Sequence, residues 1–338
     1  YEDTAGPRPE YKALDGDRTC DVVIVGGGFT GLSAAAHLAK AGSNVVLIEA
    51  HRFGDGASGR NGGQLGTGQR AWAEELEAEY GFSRAKALFD LAEEAKSHLL
   101  EFAAVNKIEI DYMPGQISVA HKQRYVDDYK AHAEIMANRF GYPHIAFMDA
   151  KETAERLGST RYFGGTRDTG TGHIHPLKLV IGTAKVAAQA GAQLFEQTPA
   201  TGIASLGGKV RVTTAKGTIS AEKCPIGVNA HGGTLELYPA LKAVEITHGW
   251  GGYVGITMPR KPFVREVMAN VISVGGYSGH GIMLSNFFGK LYAETVAGNR
   301  DRLRLIEDLK IPAFPGGRRF RAPLLFLALN WYALRDRI

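Results

Sequence analysis

Three glycines and one acid carry the first chemical signal. In "VVIVGGGFTGLSAAAHLAKAGSNVVLIEA", Val22 to Ala50, glycine stands at 26, 28 and 31 and glutamate at 49. This is the spacing of a phosphate-binding turn. Gly26 permits the tight turn, Gly28 leaves bare backbone where a pyrophosphate would lie, and Gly31 lets the following helix press on the strand. Unpaired N–H groups at that helix's start would face the phosphates. Glu49 can accept both hydroxyls of an adenosine ribose and would repel a 2′-phosphate, which disfavours NADP.

The elements that must hold these residues are legible around them. Val22 to Val25 is an apolar run of strand length. Leu32, Ala35, Ala36 and Ala39 recur on one helix face, and Val45 to Ile48 follows the turn at Gly42. Strand, glycine turn, helix and strand in that order make a βαβ unit. The unit alone leaves FAD and NAD open. The next stretch, "AHRFGDGASGRNGGQLGTGQR", is polar, glycine-rich and too long for an ordinary connection, and long ordered loops are usually functional. Its exposed backbone donors at Gly56, Gly59, Gly62 and Gly63, with Ser58, Arg60, Asn61 and Gln64, suit a flavin ring and its ribityl and phosphate groups.

"GASGRNGGQ" after such a unit resembles the FAD-dependent oxidoreductases of the D-amino-acid oxidase, glycine oxidase and sarcosine oxidase superfamily. "HGWGGYVGITMPRKP" (His248 to Pro262) and "VGGYSGHGIMLSNFFGK" (Val274 to Lys290) resemble that superfamily's substrate-side strand and closing flavin-binding helix. With the tail "FPGGRRFRAPLLFLALNWYALRD", the chain is most similar to the γ-glutamylputrescine oxidase group of bacterial amine oxidases. The resemblance implies an α/β fold with an α+β substrate part: a Rossmann-like FAD-binding domain and a discontinuous, sheet-based substrate domain. The implied boundaries are 19–107, 173–236 and 268–338 for the FAD-binding domain with its C-terminal helix, and 108–172 and 237–267 for the substrate domain.

The resemblance also carries over site residues. Ala57, Ser58, Arg60, Asn61, Gly62 and Gln64 are expected at the flavin, Ala200 at the adenine edge and Asn229 beside the dinucleotide. Gly279, Gly281 and Ile282 would open a helix whose N–H groups face the electron-rich flavin edge. Gly252 takes the position of the cysteine that carries flavin covalently in monomeric sarcosine oxidase, so FAD is expected to be noncovalent. Trp250, Tyr253, Tyr277 and His280 are the candidates for shaping the pocket, with His280 also able to polarise the flavin edge. His173 and His175 in "GHIHP" lack a carboxylate or cysteine cluster and are expected as loop or strand residues near the pocket, with no metal site.

The implied activity is amine oxidation. Hydride passes from the amine α-carbon to flavin N5, the imine is hydrolysed to an aldehyde, and O2 reoxidises the flavin to give H2O2. An amine or amino-acid dehydrogenase passing electrons to a quinone or protein acceptor, or a non-catalytic flavoprotein subunit, would share these motifs. Two departures bear on the substrate. After "NAHGGTLE" the relatives carry a long run of strands, including in sarcosine oxidases the lysine that promotes reaction with oxygen, but here Glu236 runs into Leu237. The intact flanking motifs favour an omitted segment over a lost sheet. Secondly, the lysine of "GHGFK" in sarcosine-type relatives is replaced by Met283. An amine without an adjacent carboxylate, such as γ-glutamylputrescine, is therefore expected, with Arg60 as a possible substitute charge.

Composition agrees with an enzyme of this sort. A chain of 338 residues suits two domains, and its 43 glycines, without low-complexity sequence, belong to turns and cofactor loops. The net charge of +4 is dispersed with no basic stripe, so nucleic acid is not an expected partner. Cys20 and Cys224 have neither disulfide-framework nor zinc spacing, which fits a reducing cytoplasm. No leader-like stretch opens the sequence, which begins with Tyr1 rather than Met. "APLLFLALNWYAL" is shorter than the roughly 20 residues that span a bilayer and is expected to pack as a C-terminal helix, the alternative being an interfacial helix on anionic lipid between the basic "RRFR" and "RDR". Ile108 to Ala120 alternates like a hairpin turning at Pro114 and Gly115, and Glu74, Glu75, Glu93 and Glu94 read as a solvated helix face.

Overall fold

Arg18–Val25 (β1) forms the centre of the larger sheet because its inward residues are uninterrupted apolar side chains: Val22, Val23 and Ile24 are all buried. The computed structural model describes residues 1–227 and 255–312, with 323, 324, 326, 327 and 331 in addition. From β1 the chain passes through Phe29–Lys40 (α1) to Val45–Ile48 (β2), which lies parallel to β1 with Val22 opposite Val45. Gln193–Phe195 (β7) extends the sheet beside β2, and Gly217–Ile226 (β10) and Val271–Gly275 (β12) extend it on the other side, all parallel. Phe263–Met268 (β11) closes that edge antiparallel to β12. Ala200–Leu206 (β8) and Lys209–Thr214 (β9) form an antiparallel ribbon on β10. This is the mixed α/β sheet expected from the sequence.

Helix α1 is apolar nearly all round, and its surroundings explain why. It packs against Pro176–Gln189 (α6) and Gly281–Val296 (α7) as well as the sheet. Gly289 of α7 admits the closest approach: a Cβ there would stand 2.5 Å from the backbone nitrogen of Ala34. Ala73–Tyr80 (α2) and Phe82–Val105 (α3) follow the glycine-rich loop, separated by Gly81 at φ +79°. Further helices are Val126–Asn138 (α4), Ala150–Leu157 (α5) and Asp301–Glu307 (α8).

The second sheet is built on Gly164–His173 (β6). Gln64–Leu65 (β3), Met113–Val119 (β4) and Ile145–Asp149 (β5) pair with it, each antiparallel. The hairpin expected at Ile108 to Ala120 is replaced by the single strand β4. The register shifts between Pro114 and Gln116, where the extra residues, Thr169 to Thr171, lie on β6, and no turn forms because β4 finds its partner in the distant β6. The four glutamates do not form a bare solvated face either. Glu74 contacts His132, Glu75 accepts from the Trp72 backbone, Glu93 pairs with Lys96, and Glu94 pairs with Arg302.

Candidate functional site

The glycine turn joins β1 to α1 at the carboxyl end of the larger sheet. Gly26 sits at φ +109°, where an L side chain is strained. At Gly31 a Cβ would lie 1.9 Å from the Gly26 carbonyl oxygen, so this glycine is required by the helix–strand contact itself. At Gly28, the N-cap of α1, a Cβ would meet Ser58 Oγ at 2.8 Å, and Ser58 Oγ accepts the Phe29 N–H at 3.0 Å. Glu49 stands at the end of β2 with Oε2 accepting the Gly27 N–H at 2.7 Å and Oε1 accepting that of His51 at 3.0 Å. Gly26, Gly28, Gly31, Glu49 and Ser58 thus gather around one helix N-terminus.

The loop that follows is held by its own side chains. Asn61 Nδ2 donates to the Ala57 and Ser58 carbonyls, and Asn61 Oδ1 accepts the Gly63 N–H at 2.9 Å. Arg60 points outward, donating from Nε to the Asp55 carbonyl at 2.7 Å, while Gly62 is exposed. Arg60 is not on the cavity wall described below, so the substitute charge expected there is not supplied from this position. The N-terminal arm straps the same loop. Arg8 donates to the Phe53 carbonyl and to Asp55 Oδ1, and Tyr11 packs edge-on against Phe53. Buried Glu196 accepts the Phe53 N–H at 2.7 Å.

An open cavity of about 490 Å³ lies between this loop, the second sheet and the turn before α7. That volume is within the range of small-molecule sites. Gln64, Gly66, Thr67 and Arg70 line it from the loop, and Ser278, Gly279 and His280 from the turn. Gln116 and Ser118 of β4, with Thr166 and Asp168 of β6, line it from the sheet. The turn is sharply bent, with Ser278 at φ +54° and Gly279 at φ +87°; His280 is the N-cap of α7, which begins at Gly281. Gly66 makes room for the His280 ring, for a Cβ there would stand 2.0 Å from Cε1. His280 Nε2 is shielded from solvent and has no hydrogen-bond partner among the described residues. Burial first, then the charges of Arg70 and Lys96, push its pKa down to about 4, so the imidazole is neutral at pH 7.

Other expected residues lie elsewhere. Tyr277 does not line the cavity: its side chain turns into the core, where its hydroxyl meets Thr30 Oγ1 at 2.9 Å. Ile282 and Met283 are buried in the main core on α7, so Met283 contributes no surface to the cavity. Ala200 opens β8 at a bulge beside β9. His175 caps α6 through Nδ1 and meets Thr4 through Nε2, and neither it nor exposed His173 lines the cavity. Asn229, Trp250, Gly252 and Tyr253 lie outside the described residues, as does most of the apolar C-terminal stretch. Among the described residues there is no group of three or more candidate metal ligands, and no helix is long and apolar enough to cross a membrane.

Sequence reasoning missed Asp168 and its partners. Asp168 Oδ1 accepts from Tyr142 Oη at 2.8 Å and from the Gly170 N–H at 2.9 Å, and Oδ2 accepts from Thr67 Oγ1 at 2.5 Å. The available signal was Thr166 and Asp168 at i and i+2, which puts a carboxylate on the same strand face as a buried threonine.

A parallel sheet with a glycine turn at a helix N-terminus, an acid ending the second strand and a neighbouring cavity defines a dinucleotide-dependent enzyme of the flavoprotein type. The comparisons are specific. The DAO family, FAD dependent oxidoreductase, matches residues 21–235 and 233–295, and the chain belongs to it. The chain is 48% identical to the probable oxidoreductase OrdL of Rhizobium meliloti over 414 residues, covering all of this chain and 97% of the relative. It is 29% identical to the gamma-glutamylputrescine oxidoreductase of Escherichia coli K12, covering all of this chain and 98% of that one. The fold matches glycine oxidase from Geobacillus kaustophilus with a TM-score of 0.70 at 20% identity, over 89% of this chain and 98% of the other. The 414-residue alignment exceeds the 338 residues of this chain, and the family match breaks at 233–235, beside the Glu236–Leu237 junction. The protein is an FAD-dependent oxidoreductase. Its residues fit that cofactor: Gly28 and Ser58 leave a cradle that a Cβ would fill, and His280, on the cavity lining, carries a buried Nε2 without a partner among the described residues.

Proposed function

We propose that this protein is an FAD-dependent amine oxidase, acting on γ-glutamylputrescine or a related amine and returning its electrons to O2 as H2O2. The observation that carries the proposal is the cavity set between the Gly279–His280 turn, the second sheet and the glycine-rich loop that follows β2. Gly26, Gly28, Gly31, Glu49 and Ser58 would hold the dinucleotide; Ala57, Asn61, Gly62, Gln64, Gly279, Gly281 and Ile282 would surround the rest of the cofactor. Bound noncovalently, FAD supplies the two-electron acceptor for the amine carbon–hydrogen bond. The chain's own residues orient the amine, exclude water and keep the amine neutral, which is what this oxidation needs from a protein. Neutral His280 adds no charge beside the reacting amine, and Arg70 on the same lining disfavours its protonation.

Net, a primary amine, water and O2 become an aldehyde, ammonia and H2O2. The 29% identity to gamma-glutamylputrescine oxidoreductase supports the substrate class. The lysine of sarcosine-type relatives is Met283 here, buried in the core, so that position offers no cation to an α-carboxylate. Two free, buried thiols, Cys20 and Cys224, support a cytoplasmic site of action. Anaerobic mixing with primary amines, polyamines, γ-glutamylated amines and N-methyl amino acids tests the reading by flavin bleaching. Bleaching by none of them refutes it, and preference for sarcosine or another α-amino acid refutes the substrate class. Peroxide well below one per turnover in air would reassign the protein as a dehydrogenase.

A further inference from the structure

Among the described residues, Asp168 is the only carboxylate on the lining of the cavity, and it is 8% exposed. Among the described residues it accepts from neutral donors, the Tyr142 and Thr67 hydroxyls and the Gly170 N–H, which fix the carboxylate without cancelling its charge. Lys96 does not neutralise it: its Nζ reaches Thr67 Oγ1 at 3.4 Å and is paired with Glu93 at 2.8 Å. Lys96, Glu93 and Asp168 together therefore carry one net negative charge under the cavity floor. A charge held out of water in this way attracts a cation more strongly than the same group at the surface.

The wall around Asp168 suits a slender chain. Its cross-strand neighbours Gln116 and Ile145 also line the cavity, and Trp72 and Tyr129 meet edge to face on the same lining at 6.0 Å. Aromatic faces accept both methylenes and ammonium groups. Arg70 and the turn of Gly279 and His280 border the cavity as well. The lining is thus charged in two senses: a guanidinium that disfavours protonation of an amine near it, and a fixed carboxylate that favours it.

We propose that Asp168 is a subsite for a second, cationic nitrogen of the substrate, so that the cavity selects an aliphatic diammonium compound that reacts at one nitrogen and is anchored at the other. This rests on the amine-oxidase reading above. The test compares 1,4-diaminobutane with 1-pentylamine, which has a methyl in place of the second ammonium, in the FAD-loaded protein. Anaerobic stopped flow gives the flavin reduction rate constant divided by the apparent dissociation constant for each. A charge-assisted contact at Asp168 corresponds to about a ten- to a hundredfold preference for the diamine. Asp168→Asn, isosteric and able to keep accepting from Tyr142 and the Gly170 N–H while donating to Thr67 instead of accepting from it, is expected to narrow that ratio towards one. The thermal shift induced by the diamine gives a second readout, and it should shrink in the same variant. Wild type preferring 1-pentylamine or showing no preference overturns the proposal without needing the variant to fold. A diamine preference that persists undiminished in Asp168→Asn overturns the assignment to Asp168. If neither amine reduces the flavin while γ-glutamylated amines do, the diamine proposal fails and the amine-oxidase reading stands; if no amine reduces it, the reading beneath the proposal has failed.

Discussion

Gly31 and Gly28 belong to one motif, but the structure gives them different tasks, and alanine at each separates fold from cofactor binding. In Gly31→Ala the new Cβ would stand 1.9 Å from the Gly26 carbonyl oxygen and 3.2 Å from Ile24 Cγ2. An ordinary contact is about 3.4 Å or more, so α1 would have to retreat by about 1.5 Å to restore normal packing. It cannot retreat freely, because Gly289 of α7 already lies against Ala34 on another face of α1. Overpacking of this kind costs ~1–3 kcal/mol, and unyielding backbone on both sides puts this case at the upper end. With roughly 2–4 °C per kcal/mol, the apoprotein Tm should fall by roughly 6–12 °C. In Gly28→Ala the Cβ meets only Ser58 Oγ, a rotatable side chain whose hydrogen bond to Phe29 is worth about 1 kcal/mol. Its apoprotein Tm should drop by roughly 2–4 °C, yet FAD affinity should fall at least about a hundredfold, since the methyl occupies the pyrophosphate's place. Thermal melts of both apoproteins, with FAD titrations followed by flavin fluorescence, measure the two quantities. Wild-type melting of apo Gly31→Ala, or wild-type FAD affinity in Gly28→Ala, would refute the division.

Arg8→Ala should weaken FAD binding by about tenfold, because the charge-assisted contacts that strap Phe53 and Asp55 are lost; partial recovery with Arg8→Lys, read by FAD titration, distinguishes positioning from general damage. Stability should fall in acid before the carboxylates titrate. His98 and His280 are both pushed down to about 4 by burial, so the unfolded chain takes protons from pH 6.5 downward while the folded chain does not. Their contribution is complete above pH 6.5 and is lost as the pH falls towards 4; urea midpoints that stay level between pH 7 and 5 would contradict this. Acid precipitation should release all the flavin, and yellow colour left in the pellet would show a covalent bond.

The βαβ unit was legible because its signal is local. Val22 to Glu49 contains the strand, the turn, the helix and the acid in one uninterrupted segment, and each residue's task follows from its neighbours in the chain. His280 as a helix cap was readable for the same reason, since "GYSGHG" states its own turn chemistry. The expected hairpin failed at Pro114 because alternation identifies a strand but does not say which strand it pairs with. The partner of β4 is β6, whose residues lie about fifty positions further on, and only that pairing kept Pro114 and Gly115 within a strand, opposite a shift in register on β6.

The same limit separates the cofactor half of the site from its substrate half. Sequence by itself determined a dinucleotide fold and the position of the phosphate turn, since these depend on backbone geometry that glycine spacing dictates, and FAD followed from the loop after Glu49 and the family resemblance that it carries. Tertiary structure decided that Asp168 would be held by Tyr142 and Thr67, from a helix-following loop and a glycine-rich loop, 26 and 101 residues away. It also turned Tyr277 and Met283 into the core and put Arg70 rather than Arg60 on the cavity lining. Period and spacing report which face of an element is apolar. Which elements close around a common space is set by the packing of distant segments, and so the charge of the cavity emerges only when β6, α3 and the loop after β2 are brought together.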